Sequence, residues 1–167
     1  METMDMATVI ETALHDGDMT IMQSLEFRDF CDGATDAIGW ATTFIGENGE
    51  PFITVTDPYG TESIYEFIEE HPGWSDCLWD VMDTNAEEWL AFFLANYGDM
   101  NALIPECRYG WAGMGHDYAL TAMGSGVGFW DRGYPKDISD RLCESAHNGT
   151  KDHSFWIEGE VLKYEPC

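Results

Sequence analysis

Between Arg28 and Arg108 the chain passes through 79 residues without a lysine or arginine, yet that stretch carries 17 aspartates and glutamates. Apart from those beside the two flanking arginines, none of these carboxylates has a cation close by in sequence, and an ionised carboxylate is not buried without a partner. Any fold this chain adopts must turn those side chains outward and build its interior from the residues between them. Those residues are rich in rings: the whole chain holds seven Trp, nine Phe and seven Tyr. Disordered acidic tails are poor in aromatics, so the charge is expected on the surface of a folded body.

The charge is unevenly divided. Residues 1–107 hold 23 acids against Arg28 alone, and residues 108–167 hold nine acids against six bases, within a net charge of −25. The division reads as an acidic helical and hairpin region, 1–107, followed by a hairpin–helix–hairpin region, 108–167, within one domain. Such a field repels nucleic acid and anionic membrane surfaces, so the expected partner is a basic protein. The five cysteines form no close pair, and neither a secretory leader nor a run of about 18 apolar residues is present, which makes a reducing cytoplasm the expected compartment.

Apolar spacing predicts helices over 4–14 and 20–31, separated by a turn at Asp16-Gly17-Asp18, with Ile21, Leu25 and Phe27 or Phe30 facing inward. Runs at 38–45 and 51–56 read as strands joined across Asn48-Gly49. A helix is expected over 61–70 and a short one over 74–82. Thr84, three places before Glu87, then reads as a capping box opening a separate helix with Ala86, Trp89, Leu90, Phe93, Leu94 and Tyr97 on one face and Gly98 as its stop. Strands are expected at 118–123 and 127–130, a helix at 136–147, and a closing hairpin over 155–164. Helices and antiparallel hairpins in blocks define an α+β class.

Glu62, Glu66 and Glu69 fall at i, i+4 and i+7, and Asp76, Asp80, Asp83 and Glu87 continue steps of four, three and four, with a cap at Asp83 or Thr84 interrupting the second row. Carboxylates so spaced are neighbours on a helix and form an array comparable to a phosphate backbone. The bland alternative is a solvated face serving solubility or salt tolerance, which nine Met and five Cys make a poorer match. The acidic loops lack the spacing of a calcium-binding EF-hand, the five histidines lack zinc-ligand spacing, and the glycine-rich run 124–128 precedes Phe129-Trp130 where a phosphate loop would need a helix. No cofactor or metal is expected. His116-Asp117 with Asp131 could form an acid–base pair across a hairpin, although a structural pairing is the commoner outcome.

The segment His-Asp-Tyr-Ala-Leu-Thr-Ala-Met-Gly-Ser-Gly-Val-Gly-Phe-Trp-Asp-Arg-Gly, 116–133, resembles a group of small bacteriophage proteins of uncharacterised function. The group typically reads His-Asp-Phe-Trp-Leu-Thr-Arg-Asn-Gly-His-Gly-Ala-Gly-Phe-Trp-Asp-Arg-Gly, followed by a helix and a hairpin. The likeness spans about the last third of the chain and implies a phage or mobile-element origin. Where the group has Arg, Asn and His near the turn, this chain has Ala122, Met123 and Ser125, so no catalytic residue carries over. The motif reads as scaffold, with Phe129 and Trp130 packing a sheet and Asp131 pairing with Arg132. In charge and size, but in no alignable motif, the chain is also similar to phage-encoded acidic DNA mimics that act against restriction or CRISPR systems.

The expectation from sequence is therefore a non-enzymatic inhibitor occupying the nucleic-acid site of a host defence or DNA-processing protein. Its contact residues would be Glu62, Glu66, Glu69, Glu70, Asp76, Asp80, Asp83, Glu87 and Glu88, rimmed by Trp74 and Trp79. Two rivals stand beside it: binding through shape and the aromatic helix 89–97, with charge for solubility only, and a small hydrolase using His116 and Asp117. Phe92, off the main apolar stripe of its helix, leaves homodimerisation open.

Overall fold

The computed structural model describes residues 4–41, 44–45, 73–124, 127–147, 153–158 and 161–166. Its elements are helices α1 (Met6–Asp16), α2 (Ile21–Ala41), α3 (Trp74–Ala95), α4 (Tyr97–Leu103), α5 (Gly110–Met123) and α6 (Lys136–Ala146), with strands β1 (Phe44–Ile45), β2 (His153–Glu158) and β3 (Val161–Pro166). Short 3-10 turns lie at Ile104–Glu106 and Phe129–Asp131. The architecture is α+β in the broad sense, mostly helical, with one small sheet in the order β1-β2-β3. β2 and β3 are antiparallel, with Phe155 opposite Tyr164, and β1 joins β2 in parallel, with Phe44 opposite Phe155.

Local chemistry accounts for the helix ends. Asp5 caps α1 by accepting from the Thr8 amide at 2.8 Å, and Gly17 closes it at φ +78° while its neighbourhood accepts the turn predicted there. Thr20 and Gln23 exchange hydrogen bonds at 3.1 and 2.9 Å as a capping box that starts α2. α6 and the closing hairpin lie where the sequence places them.

The core is a continuous aromatic cluster. Phe27 and Phe30 of α2 meet Phe92 and Phe93 of α3, Tyr118 of α5 and Phe129, with Phe92 and Tyr118 ring centroids 4.2 Å apart. α2 and α5 pack backbone to backbone: a Cβ on Gly33 would come within 1.8 Å of the Ala112 carbonyl oxygen, and one on Gly115 within 1.8 Å of that of Phe30. At the other end α3 lies on β3, where Cys77 donates to the Leu162 carbonyl and Asn85 to the Tyr164 hydroxyl, which shares a 2.6 Å hydrogen bond with His153.

Several expectations are overturned. α2 runs to Ala41, through most of the expected strand 38–45, because Phe30, Ala34, Ala37 and Ile38 keep a helical apolar stripe. Ile21 and Leu25 are exposed, while Phe27 and Phe30 are both fully buried. Residues 74–95 form one helix: Thr84 opens nothing, because the buried positions Trp74, Cys77, Val81 and Asn85–Ala86 stay in phase with Trp89. The helix ends at Asn96, whose side chain donates to the Phe92 carbonyl and to Ser145 of α6, and Gly98 lies inside α4. The expected strands 118–123 and 127–130 are the end of α5 and a 3-10 turn. Phe92 is buried inside the chain's own core, so it gives no argument for dimerisation. The hairpin expected around 46–50 and the helix expected over 61–70 lie outside the described residues.

Candidate functional site

The continuity of α3 changes the geometry of its acids. With no interruption at residue 84, Asp76, Asp80, Asp83 and Glu87 run along one helical face over about 16 Å, a charge every 5 or 6 Å or so. Asp76, Asp80 and Glu87 are exposed, and Asp83 and Glu88 are half-buried. Asp83 has a structural task as well, accepting from the Met6 amide at 2.9 Å and so fastening the start of α1 to α3. Burial, then the charges of Asp76 and Asp83, raise the Asp80 carboxyl above its ordinary value, and Lys163 on β3 opposes them. A second row lies along α2: Asp29, Asp32 and Asp36 are all exposed, and burial, Asp29 and Asp36 raise Asp32 against the effect of Arg28.

Of the two expected rim aromatics, Trp79 is 60% exposed and Trp74 only 4%. Trp74 is the first residue of α3 and packs its ring 6.2 Å from Phe155 of β2, so it is a core contact. Glu62, Glu66, Glu69 and Glu70 lie outside the described residues.

A cleft of about 520 Å³ opens where α2, α5 and the 129–134 segment meet. The close glycine contacts of α2 and α5 bring Asp36, one turn beyond Gly33, near His116, beside Gly115, where the carboxylate charge acts on the imidazole. Asp117 is buried and receives Arg132 Nε at 3.0 Å and Nη2 at 2.7 Å, both on Oδ1. The motif thus pairs Arg132 with Asp117, and Asp131 instead accepts from the Gly128 amide at 3.0 Å. Thr121 pins the turn to α5, donating to the Asp117 carbonyl at 2.7 Å and accepting from the Phe129 amide at 3.2 Å. Phe129 is fully buried against the helix residue Phe92, whereas Trp130 is 45% exposed, so neither packs a sheet as expected.

The other cleft walls are polar and partly covered. Cys107 donates to the Gly110 carbonyl at 3.3 Å, and the Tyr134 phenol is pushed up by burial and by the neighbouring Cys107. Burial lowers the His116 imidazole below its ordinary value; Asp117 and Asp36 oppose this and Arg132 adds to it. His116 and Asp117 are consecutive on α5, and the carboxylate expected to orient the imidazole is bound to Arg132. Asp117 could have been singled out in the sequence as an acid between Met114 and Thr121 on an apolar helical face, which demands a cation. The consecutive Cys107-Arg108-Tyr109 and the distant Tyr134 carry no comparable signal, because only the fold brings them to one cleft.

Among the described residues no cluster of metal-ligating side chains occurs, and no helix is long and apolar enough to cross a membrane. Comparison with protein-family models, with curated proteins and with solved structures finds no match to the chain.

Proposed function

We propose that the chain is a charge mimic of nucleic acid, a phage-encoded, non-enzymatic inhibitor that occupies the nucleic-acid site of a basic host protein in the cytoplasm. The observation that carries this reading is the uninterrupted carboxylate row on α3, Asp76, Asp80, Asp83 and Glu87, inside a sequence stretch without a base. Two unit charges in water interact by about RT at about 7 Å. A row spaced more closely than that holds counterions near it, as duplex DNA does, and releases them when a partner's Arg and Lys take their place. The row on α2 adds Asp29, Asp32 and Asp36.

Replacing Asp76 and Asp80 with Asn and Glu87 with Gln tests it, leaving Asp83 to hold α1. Host proteins captured on the wild-type chain at low salt should be displaced by duplex DNA. Against a captured protein, the triple variant should bind more weakly, with a flatter slope of log K against log salt. An unchanged slope, or capture indifferent to DNA, defeats the proposal.

A second reading, contact through apolar surface, draws on Ile21, Met22 and Leu25, which are 75%, 66% and 53% exposed at the start of α2. Binding that persists at high salt and is lost in a Leu25→Ser variant favours it. The version resting on the aromatic helix 89–97 is weaker, since Trp89, Phe92 and Phe93 are buried.

A further inference from the structure

We infer that the cleft between α2, α5 and Arg132 is a binding site for a nucleoside monophosphate, independent of the charge-mimic reading. The chain has only seven lysines and arginines, and two of them, Arg108 and Arg132, line this one cleft. Arg132 spends Nε and Nη2 on Asp117, which fixes the guanidinium plane and leaves Nη1 without a protein acceptor among the described residues. A guanidinium held on one edge by a buried carboxylate and open on the other is preorganised for an anion. Arg108 is exposed and has no ion-pair partner among the described residues; its guanidinium carbon sits 5.2 Å from the centre of the Tyr109 ring.

The remaining lining decides what else the anion carries. Asp36 and Glu106 are acceptors, suited to the hydroxyls of a sugar or the amino group of a base. Tyr109, 68% exposed, carries Arg108 over one face of its ring and offers the other to a planar base. The volume falls within the range of sites for ligands of nucleotide size, well beyond that of inorganic phosphate. Phosphate on Arg108 and Arg132, hydroxyls on the carboxylates and a base on Tyr109 make a nucleotide the ligand that uses every wall. The chain's other carboxylates oppose an anion, but those farther than about 8 Å are largely screened at physiological ionic strength.

Isothermal titration of the full chain with AMP, GMP, CMP and UMP, with their nucleosides, and with inorganic phosphate tests the assignment. At least one monophosphate should bind one-to-one, with its nucleoside and inorganic phosphate each about tenfold weaker or more. Arg108→Ala should weaken that nucleotide about tenfold, and Tyr109→Ala several-fold, with circular dichroism of both variants unchanged because both side chains are exposed. No heat from any monophosphate up to about 1 mM, equal binding of inorganic phosphate, or an Arg108→Ala variant that binds as well as wild type overturns it. Since the charge-mimic test uses variants on α3 and a protein partner, either proposal can fail alone.

Discussion

Replacing Arg132 with Met should cost about 3–5 kcal/mol of stability at neutral pH. The magnitude follows from an asymmetry in the pair: the Asp117 residue is 4% exposed, whereas the Arg132 side chain is 42% exposed. Losing Arg132 strands a carboxylate that water cannot reach, while losing the carboxylate leaves a guanidinium that solvent can hydrate. Asp117→Asn should therefore cost less, about 1–3 kcal/mol. In the wild type, burial raises the Asp117 carboxyl above its ordinary value and Arg132 pulls it back, so the Arg132→Met variant has a higher carboxyl pKa still. A group whose folded pKa exceeds its unfolded one favours the folded state below the unfolded value, and that contribution is lost as pH rises through the folded pKa. The deficit of Arg132→Met is thus largest at neutral pH and shrinks as the solution is acidified toward the ordinary carboxylate range. Urea denaturation followed by far-UV circular dichroism at neutral pH and near pH 5 or so measures it, and the corresponding fall in Tm is about 6–20 °C. Equal destabilisation by the two variants, or a deficit for Arg132→Met that is the same at both pH values, refutes the argument.

Two further outcomes bear on the fold. Gly115→Ala drives a Cβ against the Phe30 carbonyl oxygen, 1.8 Å away before relaxation, so α2 and α5 must separate; a loss of about 1–3 kcal/mol or more is expected in the same assay, and a neutral result contradicts the backbone contact. Asp80→Asn should stabilise the protein at neutral pH, because burial and its neighbours Asp76 and Asp83 disfavour the charged form, and the gain should vanish once acid protonates the wild-type carboxyl. A gain independent of pH would show that charge is not its cause.

What was legible in the sequence shares one cause. α1 with its Gly17 turn, α6, and the closing hairpin are each specified by residues within a few positions of one another. The same holds for the acidic row on α3, whose spacing is a property of the sequence once a helix is granted. Where the reading failed, distant residues decided. Residues 118–123 look like a strand by composition, but Tyr118, Leu120 and Ala122 are buried on a helix enclosed by α2, α3 and α6, where burial on several sides erases the alternation with solvent. Thr84 resembled a cap because local pattern cannot weigh it against Trp74 and Val81, which find partners in the hairpin and the core.

By itself the sequence determined that acids should face outward around an aromatic interior, since a run without bases offers its carboxylates no cation from within that run. Tertiary structure alone decided which acids stand apart from that rule. Asp117 became a buried ion with a dedicated arginine, Asp83 a clasp for α1, and Asp36 a wall of a cleft. The reason is physical: outward placement follows from the solvation of each carboxylate singly, whereas pairing requires a partner delivered from 15 or 77 positions away by the packing of helices.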